Sequence, residues 1–377
     1  MTTGDGAAAG AATGAAGATE PGGEAAVMAR VEAFRRRRPR LRDEVVTLAH
    51  GAGGKASAAL VDSVFLDAFG ARPGDPLTDA AVVELPAGER VAFTTDSFVV
   101  RPLRFPGGSI GHLAVHGTVN DLAVTGARPR WLAAAFVIEE GFPVDELRAV
   151  VADMAEAARA AGVAIVTGDT KVVDKGAADG LYVTTAGVGS VPAGRRLGAD
   201  LVRPGDAVIV SGTLGDHGMA VMVARGDLEL EADLRSDTAA VHGLMEVLLA
   251  AAPSTRWARD PTRGGVGTVA NELARDAGVA VVLDEAALPV APAVAGACDL
   301  LGIDPLYVAN EGKVVAVVPP DEASAALDAL RAHPLGRLAA RIGDIQADPP
   351  GIVVLRTAFG GTRIVDMLVG DPLPRIC

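Results

Sequence analysis

Cysteine is nearly missing from this chain. Among 377 residues there are two, Cys298 and Cys377, too few for a disulfide framework or a cysteine-rich zinc site. An excess of basic residues is missing too. The formal net charge is −13, whereas a nucleic-acid binder would present a basic face. The acidity does not exclude a phosphate ligand, because metal ions mediate between carboxylates and phosphates. No uninterrupted apolar run reaches membrane-span length, and no apolar segment of the signal-peptide kind follows the N-terminal basic cluster. The expectation is a cytoplasmic protein with neither a membrane nor a nucleic acid as partner. What the chain does have is apolar residues, 50% of the total, ample for two domains with real cores.

Residues 1–44 form a leader of Gly, Ala and Thr followed by arginines at 35–38, Arg40 and Arg42. With almost nothing large to bury, it is expected to be disordered, its charges solvated. Residues 45–48 read as a short strand, followed by a glycine-rich turn from His50 to Lys55 and a helix over 57–69. Strands are expected at 81–85, 90–95, 130–138, 163–167 and 181–188, and helices at 109–126 and 144–161. The pattern restarts near Arg203-Pro204-Gly205-Asp206. Beyond it come helices at 218–225, 238–250, 267–277, 292–301 and 323–331, and strands at 207–210, 279–283, 314–318, 340–345, 352–355 and 363–365. This places an N-terminal domain at 45–200, a C-terminal domain at 201–365 and a tail at 366–377. Neither half alternates strand and helix regularly, so the class is α+β rather than a doubly wound sheet.

The tail ends Gly370-Asp371-Pro372-Leu373-Pro374-Arg375-Ile376-Cys377. Two prolines fix the backbone and remove two amide donors, so the segment reads as a mobile, extended arm. A thiol there has no packing role, and prenylation would need the cysteine four residues from the end. Cys298, in an Ala-rich segment, reads as a small core residue.

Two nucleotide-binding patterns fail on inspection. Gly53-Gly54-Lys55-Ala56 lacks the upstream glycine spacing of a P-loop and has Ala where Ser or Thr would hold magnesium. Gly265-Val266-Gly267-Thr268-Val269-Ala270 follows a charged, proline-broken stretch instead of the buried strand a dinucleotide fingerprint needs. The carboxylates say more. Asp79 precedes a strand, Asp96 ends one, Asp121 follows Asn120 in a helix, and Asp169 sits in Gly168-Asp169-Thr170-Lys171. Acids at strand ends converge on one rim of a sheet, where hard oxygen ligands could hold magnesium against phosphates.

Several strings then occur in order: Asp79-Ala80-Ala81-Val82-Val83, Thr95-Asp96-Ser97, Val119-Asn120-Asp121, Gly168-Asp169-Thr170-Lys171-Val172-Val173, Asp260-Pro261-Thr262-Arg263-Gly264-Gly265 and Asn310-Glu311-Gly312-Lys313. With the closing Pro374-Arg375-Ile376-Cys377 they resemble the hydrogenase-maturation carbamoyl dehydratase family, HypE, of the aminoimidazole ribonucleotide synthetase-like superfamily. The internal strings also resemble selenophosphate synthetase and thiamine-monophosphate kinase relatives; the closing four residues single out HypE. Residues 1–44 lie outside the resemblance.

The resemblance implies an α+β fold of two domains, the N-terminal sheet forming a dimeric barrel and the C-terminal domain an α/β sandwich. It implies ATP and Mg2+ as cofactors, and an ATP-dependent carbamoyl dehydratase (a lyase) that turns a carbamoyl group on Cys377 into a thiocyanate. The cyanide then goes to the iron of a nickel–iron hydrogenase. The implied partners are the carbamoyltransferase HypF, the HypC–HypD iron scaffold complex and a second copy of the chain. Asp79, Asp96, Asp121 and Asp169 would ligate magnesium. Asn120, Gly168, Asp169, Thr170, Lys171, Asp216 and Lys55 would contact nucleotide, and Cys377, Lys171, Glu311 and Arg263 would carry the chemistry. Two rival readings stand beside this one: another ATP-dependent small-molecule kinase or synthetase of the superfamily, and a ligand carrier that catalyses nothing.

Overall fold

The structure, a computed structural model, describes residues 41–69, 78–86, 88–226, 233–368, 370 and 376–377. The expected leader, apart from 41–44, and residues 369 and 371–375 of the expected tail lie outside the described residues.

The first half runs α1 (Lys55–Leu60), β1 (Ala81–Glu84), β2 (Arg90–Phe98), a small hairpin of β3 (Arg104–Phe105) and β4 (Gly108–Ser109), then α2 (Ile110–Val124), β5 (Arg128–Glu139), α3 (Val144–Ala160), β6 (Ala164–Val173) and β7 (Leu181–Val191). Its sheet has the order β1-β2-β7-β5-β6. Only β5 and β6 pair in parallel, which α3 makes possible as their crossover. Helix α2 has no polar face: 13 of its 15 residues are buried, as expected for a helix packed on every side. It touches β2, β7 and α3. The approach to α3 is so close that a Cβ on Gly111 would lie 2.4 Å from the Val150 carbonyl oxygen.

The second half runs β8 (Ala207–Val210), α4 (Asp216–Arg225), α5 (His242–Ala251), β9 (Trp257–Arg259), α6 (Gly265–Ala277), β10 (Ala280–Asp284), α7 (Pro292–Leu301), β11 (Val315–Val318), α8 (Ala323–Ala332), β12 (Ala340–Gln346), β13 (Ile352–Arg356) and β14 (Thr362–Val365). Seven strands form one sheet in the order β14-β13-β10-β12-β8-β11-β9. Strands β8 and β11 are buried at every residue because helices cover both faces. Val208 and Val210 pack with Val266, Val269 and Leu273 of α6, while Ala207 and Ile209 pack with Leu244, Met245 and Leu248 of α5 and Leu330 of α8. The two-residue period of a strand produces that division.

Three local expectations are corrected. Residues 45–48 are no strand: Val45, Val46 and Leu48 are exposed and the backbone turns at Leu48–Gly51. No neighbouring strand offers them a ladder. Strand β6 runs on to Val173, so the Gly168–Lys171 string lies within the strand rather than after it. Helix α5 starts at His242, not at 238, because residues before it bond elsewhere. The Ala239 N–H donates to the Glu311 carbonyl and the Val241 N–H to Asn120 Oδ1.

Two glycine substitutions should move stability in opposite directions. Gly111→Ala forces α2 off α3 and should destabilise by about 1–3 kcal/mol. Gly296→Ala, on an exposed helix with nothing within 4 Å of the new Cβ, should stabilise by about 0.5–1 kcal/mol. Denaturant titration of both variants checks the pair.

Candidate active site

Three carboxylates meet where the first sheet abuts the second half. Asp79, just before β1, Asp121 in α2 and Asp260, just after β9, each offer an oxygen within 4.8 Å of the others. Burial drives all three upward from the ordinary carboxylate range. Asp260 is pushed up to about 7 by burial and then by Asp79, and Asp121 rises well above its usual value through burial and its acidic neighbours. Asp79 rises less, because Arg259 Nε donates to its Oδ1 at 2.6 Å. Thr94 Oγ1 donates to Asp121 Oδ2 at 2.7 Å, and Thr262 Oγ1 to Asp260 Oδ2 at 2.7 Å. Crowded, desolvated carboxylates that share too few counter-charges form a hard oxygen donor set, and a divalent cation fits it.

Beside the acids sits the end of the chain. Ile376 is 5% exposed and belongs to the same apolar cluster as Phe98, Phe105, Met219 and Val308. The Val99 N–H donates to the Cys377 backbone oxygen at 3.0 Å, and His217 Nε2 lies 2.6 Å from the Ile376 carbonyl. The expected loose arm is therefore anchored at its tip, since an apolar side chain and two backbone oxygens find partners inside. Arg263 ties tail and acids together: its charge is favoured first by Cys377, against burial, and then by Asp96, Glu311 and Asp121. Its Nη1 also reaches the Gly51 carbonyl at 3.4 Å, which brings the glycine-rich turn to the site.

Glu311 is buried, and Oε1 of its carboxyl has no hydrogen-bond partner among the described residues. Burial, then Asp96, Asp260 and Asp237, push its pKa well above the usual carboxylate range. Its backbone is fixed on both sides. The N–H donates to Asp237 Oδ1 at 3.1 Å, and the carbonyl accepts from Asn120 Nδ2 at 3.2 Å. Asp237 is held in turn by Lys313 Nζ at 2.8 Å. Gly312 lets these strands close, because a Cβ there would sit 1.9 Å from the Asp237 carbonyl.

The other expected residues are distributed differently. The Asn120 amide bonds the Ala239 and Glu311 carbonyls and the Val241 N–H, clamping three segments. Asp216 accepts from Thr213 and lies 3.6 Å from Lys313 Nζ, within the ion-pair network. Lys55 pairs with Asp366 Oδ2 at 2.8 Å, fastening the glycine-rich turn to the stretch after β14. Gly168, Asp169, Thr170 and Lys171 sit on β6 at the sheet edge opposite β1. Three strand spacings, about 14 Å, separate β6 from β2, so a single chain does not bring Asp169 into the acid cluster. Gly168, Asp169 and Thr170 line a cleft of about 610 Å³ between α3 and β6.

Asp260 takes the place in the acid cluster that the sequence reading gave to Asp169. Its position at the end of a strand was the available signal, as the start of one was for Asp79. Ser236 and Asp237 were not among the expected site residues. Their roles come from long-range pairings that leave no local pattern.

A two-domain fold with acids at the sheet rim defines a class. Residues 77–191 match the family described as AIR synthase related protein, N-terminal domain, and residues 203–356 match its C-terminal counterpart. Within that class the chain is 58% identical over 340 residues to carbamoyl dehydratase HypE of Rhodobacter capsulatus, covering 89% of this chain and 99% of that one. Solved structures agree. A HypE–HypF complex matches with a TM-score of 0.77 at 47% identity, over 82% of this chain and 100% of that chain. HypE in complex with ATP matches with a TM-score of 0.74 at 45% identity, over 88% and 100%. The chain belongs to the carbamoyl dehydratase HypE family, and is an enzyme of that family.

The acid cluster predicts a pH signature. Asp260 moves from 3.8 in an unfolded chain to about 7 when folded. Between those values the folded state binds more protons, so metal-free stability should fall as pH rises through that window. Magnesium, which needs the carboxylates ionised, should raise the melting temperature at about pH 8 and hardly at about pH 5. Thermal denaturation with and without magnesium at both pH values checks both signs.

Proposed function

We propose that this enzyme uses ATP to dehydrate a carbamoyl group carried on its own Cys377, leaving a thiocyanate whose cyanide serves the iron of a nickel–iron hydrogenase. The observation that carries this reading is the docked tail: Ile376 is buried, the Val99 N–H donates to the Cys377 backbone oxygen, and Cys377 favours the charge of Arg263 more than Asp96 or Glu311 does. A carbamoyl oxygen leaves poorly as hydroxide and well as phosphate. In the first step that oxygen attacks the γ-phosphorus, ADP departs and the nitrogen gives up one proton. In the second the carbon–oxygen bond breaks, inorganic phosphate leaves and the remaining nitrogen proton is lost, forming the nitrile.

Glu311 suits these transfers, because burial and acidic neighbours raise its affinity for a proton: as a carboxylate it takes the first nitrogen proton, hands it to the departing phosphate and then takes the second. Arg263 offers positive charge where the transferring phosphoryl group accumulates negative charge. Asp79, Asp121 and Asp260, with Asp96 beside them, would hold magnesium, which when bound neutralises phosphate charge. Residues 45–200 act as the ATP-binding domain, 201–365 as the second domain, and 366–377 as the tail that carries the modified sulfur.

A second copy of the chain completes this arrangement. Strand β6 is exposed along nearly its whole length, with Ile165, Val166 and Val172 open, and Trp131 and Phe93 are open in the same sheet. A homodimer formed through that sheet covers them and offers Asp169, Thr170 and Lys171 of one copy to the nucleotide of the other. Among the described residues no helix is long and apolar enough to cross a membrane. We place the enzyme in the cytoplasm, with HypF supplying the carbamoyl group and the HypC–HypD complex receiving cyanide.

Cys377→Ala should abolish thiocyanate formation, read as the mass of the C-terminal peptide, while nucleotide affinity by titration stays within about twofold. A wild-type peptide that stays unmodified with a competent carbamoyl donor overturns the reading. Asp260→Asn should weaken magnesium–nucleotide binding by roughly tenfold or more. Mixing Lys171→Ala with Cys377→Ala chains should restore part of the activity, since one site of the mixed dimer then has both groups; no recovery removes the shared site.

A further inference from the structure

His217 is completely buried and has no part in the chemistry above. Its two ring nitrogens are both engaged. Nε2 lies 2.6 Å from the Ile376 carbonyl oxygen, and Nδ1 lies 2.8 Å from Ser236 Oγ. A carbonyl carries no proton, so the proton between His217 and Ile376 belongs to Nε2. Nδ1 of the neutral ring must then accept, and the Ser236 hydroxyl is its donor. Ser236 is itself oriented: its Oγ accepts the Thr238 N–H at 3.1 Å, and its own N–H donates to the Pro106 carbonyl at 2.8 Å. The edge of Phe105 packs against the imidazole with ring centroids 5.4 Å apart. Burial lowers the His217 pKa, which keeps the ring neutral and the tautomer single.

We propose that His217 is the positioning residue that latches the docked tail, holding the Ile376 carbonyl through an Nε2 proton fixed there by Ser236. The role rests on the reading above, in which the tail must leave this seat to collect a carbamoyl group and return for dehydration. A latch of this kind has to be strong enough to seat the sulfur and weak enough to let go. Among the described residues the seat includes one apolar side chain, Ile376, and two backbone oxygens, the second accepting the Val99 N–H at Cys377. The bond at the Ile376 carbonyl comes from a side chain, His217, so sequence can tune it. The latch also communicates with the catalytic carboxyl. Ser236 orients His217, and its neighbour Asp237 fixes the Glu311 N–H and pairs with Lys313. Seating the tail and setting Glu311 are thus tasks of two consecutive residues on one segment.

The test reads tail seating directly, with the full-length chain. Cys377 is alkylated with iodoacetamide and the C-terminal peptide is followed by mass. Cys298 is buried, its thiol pushed up to about 11 by that burial, so it serves as the slow internal reference. His217→Leu should alkylate Cys377 roughly tenfold faster than wild type, the scale of one buried hydrogen bond lost. His217→Gln, whose amide nitrogen can still donate to Ile376, should return to within about threefold of wild type. With HypF as donor, His217→Leu should accept the carbamoyl group at least as fast as wild type yet form thiocyanate roughly tenfold more slowly. A variant that is merely misfolded would lose both. Ser236→Ala, a milder change, should speed alkylation roughly threefold by freeing the other tautomer, and keeps the test decisive if His217→Leu does not fold.

Equal alkylation rates for wild type, His217→Leu and Ser236→Ala overturn the latch, as does a His217→Gln rate matching that of His217→Leu. Because alkylation involves no carbamoyl chemistry, failure of the dehydration reading would leave this result interpretable.

Discussion

The buried ion pair between Lys313 and Asp237 is the contact on which the rest of the site depends. Both side chains are nearly inaccessible to water, and removing one partner from such a pair typically costs about 3–5 kcal/mol because the other charge is left stranded. Lys313 takes Asp237 below the usual carboxylate range despite a large opposing effect of burial. Held as an anion, Asp237 can accept the Glu311 N–H. Glu311 is thereby set with its own carboxyl pushed up in pKa, beside an acid that Lys313 pushes down. Two neighbouring acids shifted in opposite directions is an arrangement that burial alone would not produce.

Around that pair, backbone contact does much of the positioning. Asn120 uses both ends of its amide to join α2 to residues 239–241 and to Glu311. The close approach at Gly312 brings Glu311 and Asp237 together without an intervening side chain. The first sheet therefore contributes its acids, Asp79, Asp96 and Asp121, and the second half contributes Asp260, Arg263 and Glu311. The site exists only where the two meet.

Much of this was legible in the sequence, and the remainder was not for definable reasons. Helix α2 was readable because its apolar residues are bracketed by Ser109 and by Gly126 in a left-handed conformation. Asp79 and Asp96 were picked out because strand ends are marked by composition, and Asp121 by its place after Asn120 in a helix. The ordering of Asp169 and Asp260 was not: which strand edge faces the second half depends on sheet order, and β6 is drawn to the far edge by its parallel pairing with β5. The chain at 45–48 has the residue types of a strand, but a strand needs a partner, and partners are not a local property. Asn120 was expected to touch a ligand because the family resemblance implied it; its amide bonds backbone groups of two other segments. His217 was invisible as a tail contact because its partner lies 159 residues away in sequence.

The substrate of the proposed reaction is tethered, and that changes its kinetics. A sulfur delivered by its own backbone meets the site at an effective concentration in the millimolar range for a short flexible link, whatever the amount of enzyme in solution. Turnover of the loaded chain is then first order and has no Michaelis constant for the carbamoyl group. A free peptide offered in competition faces that same internal concentration, so the site is shielded from small thiocarbamates in its surroundings. Selectivity is supplied by covalent connection rather than by the walls of the pocket.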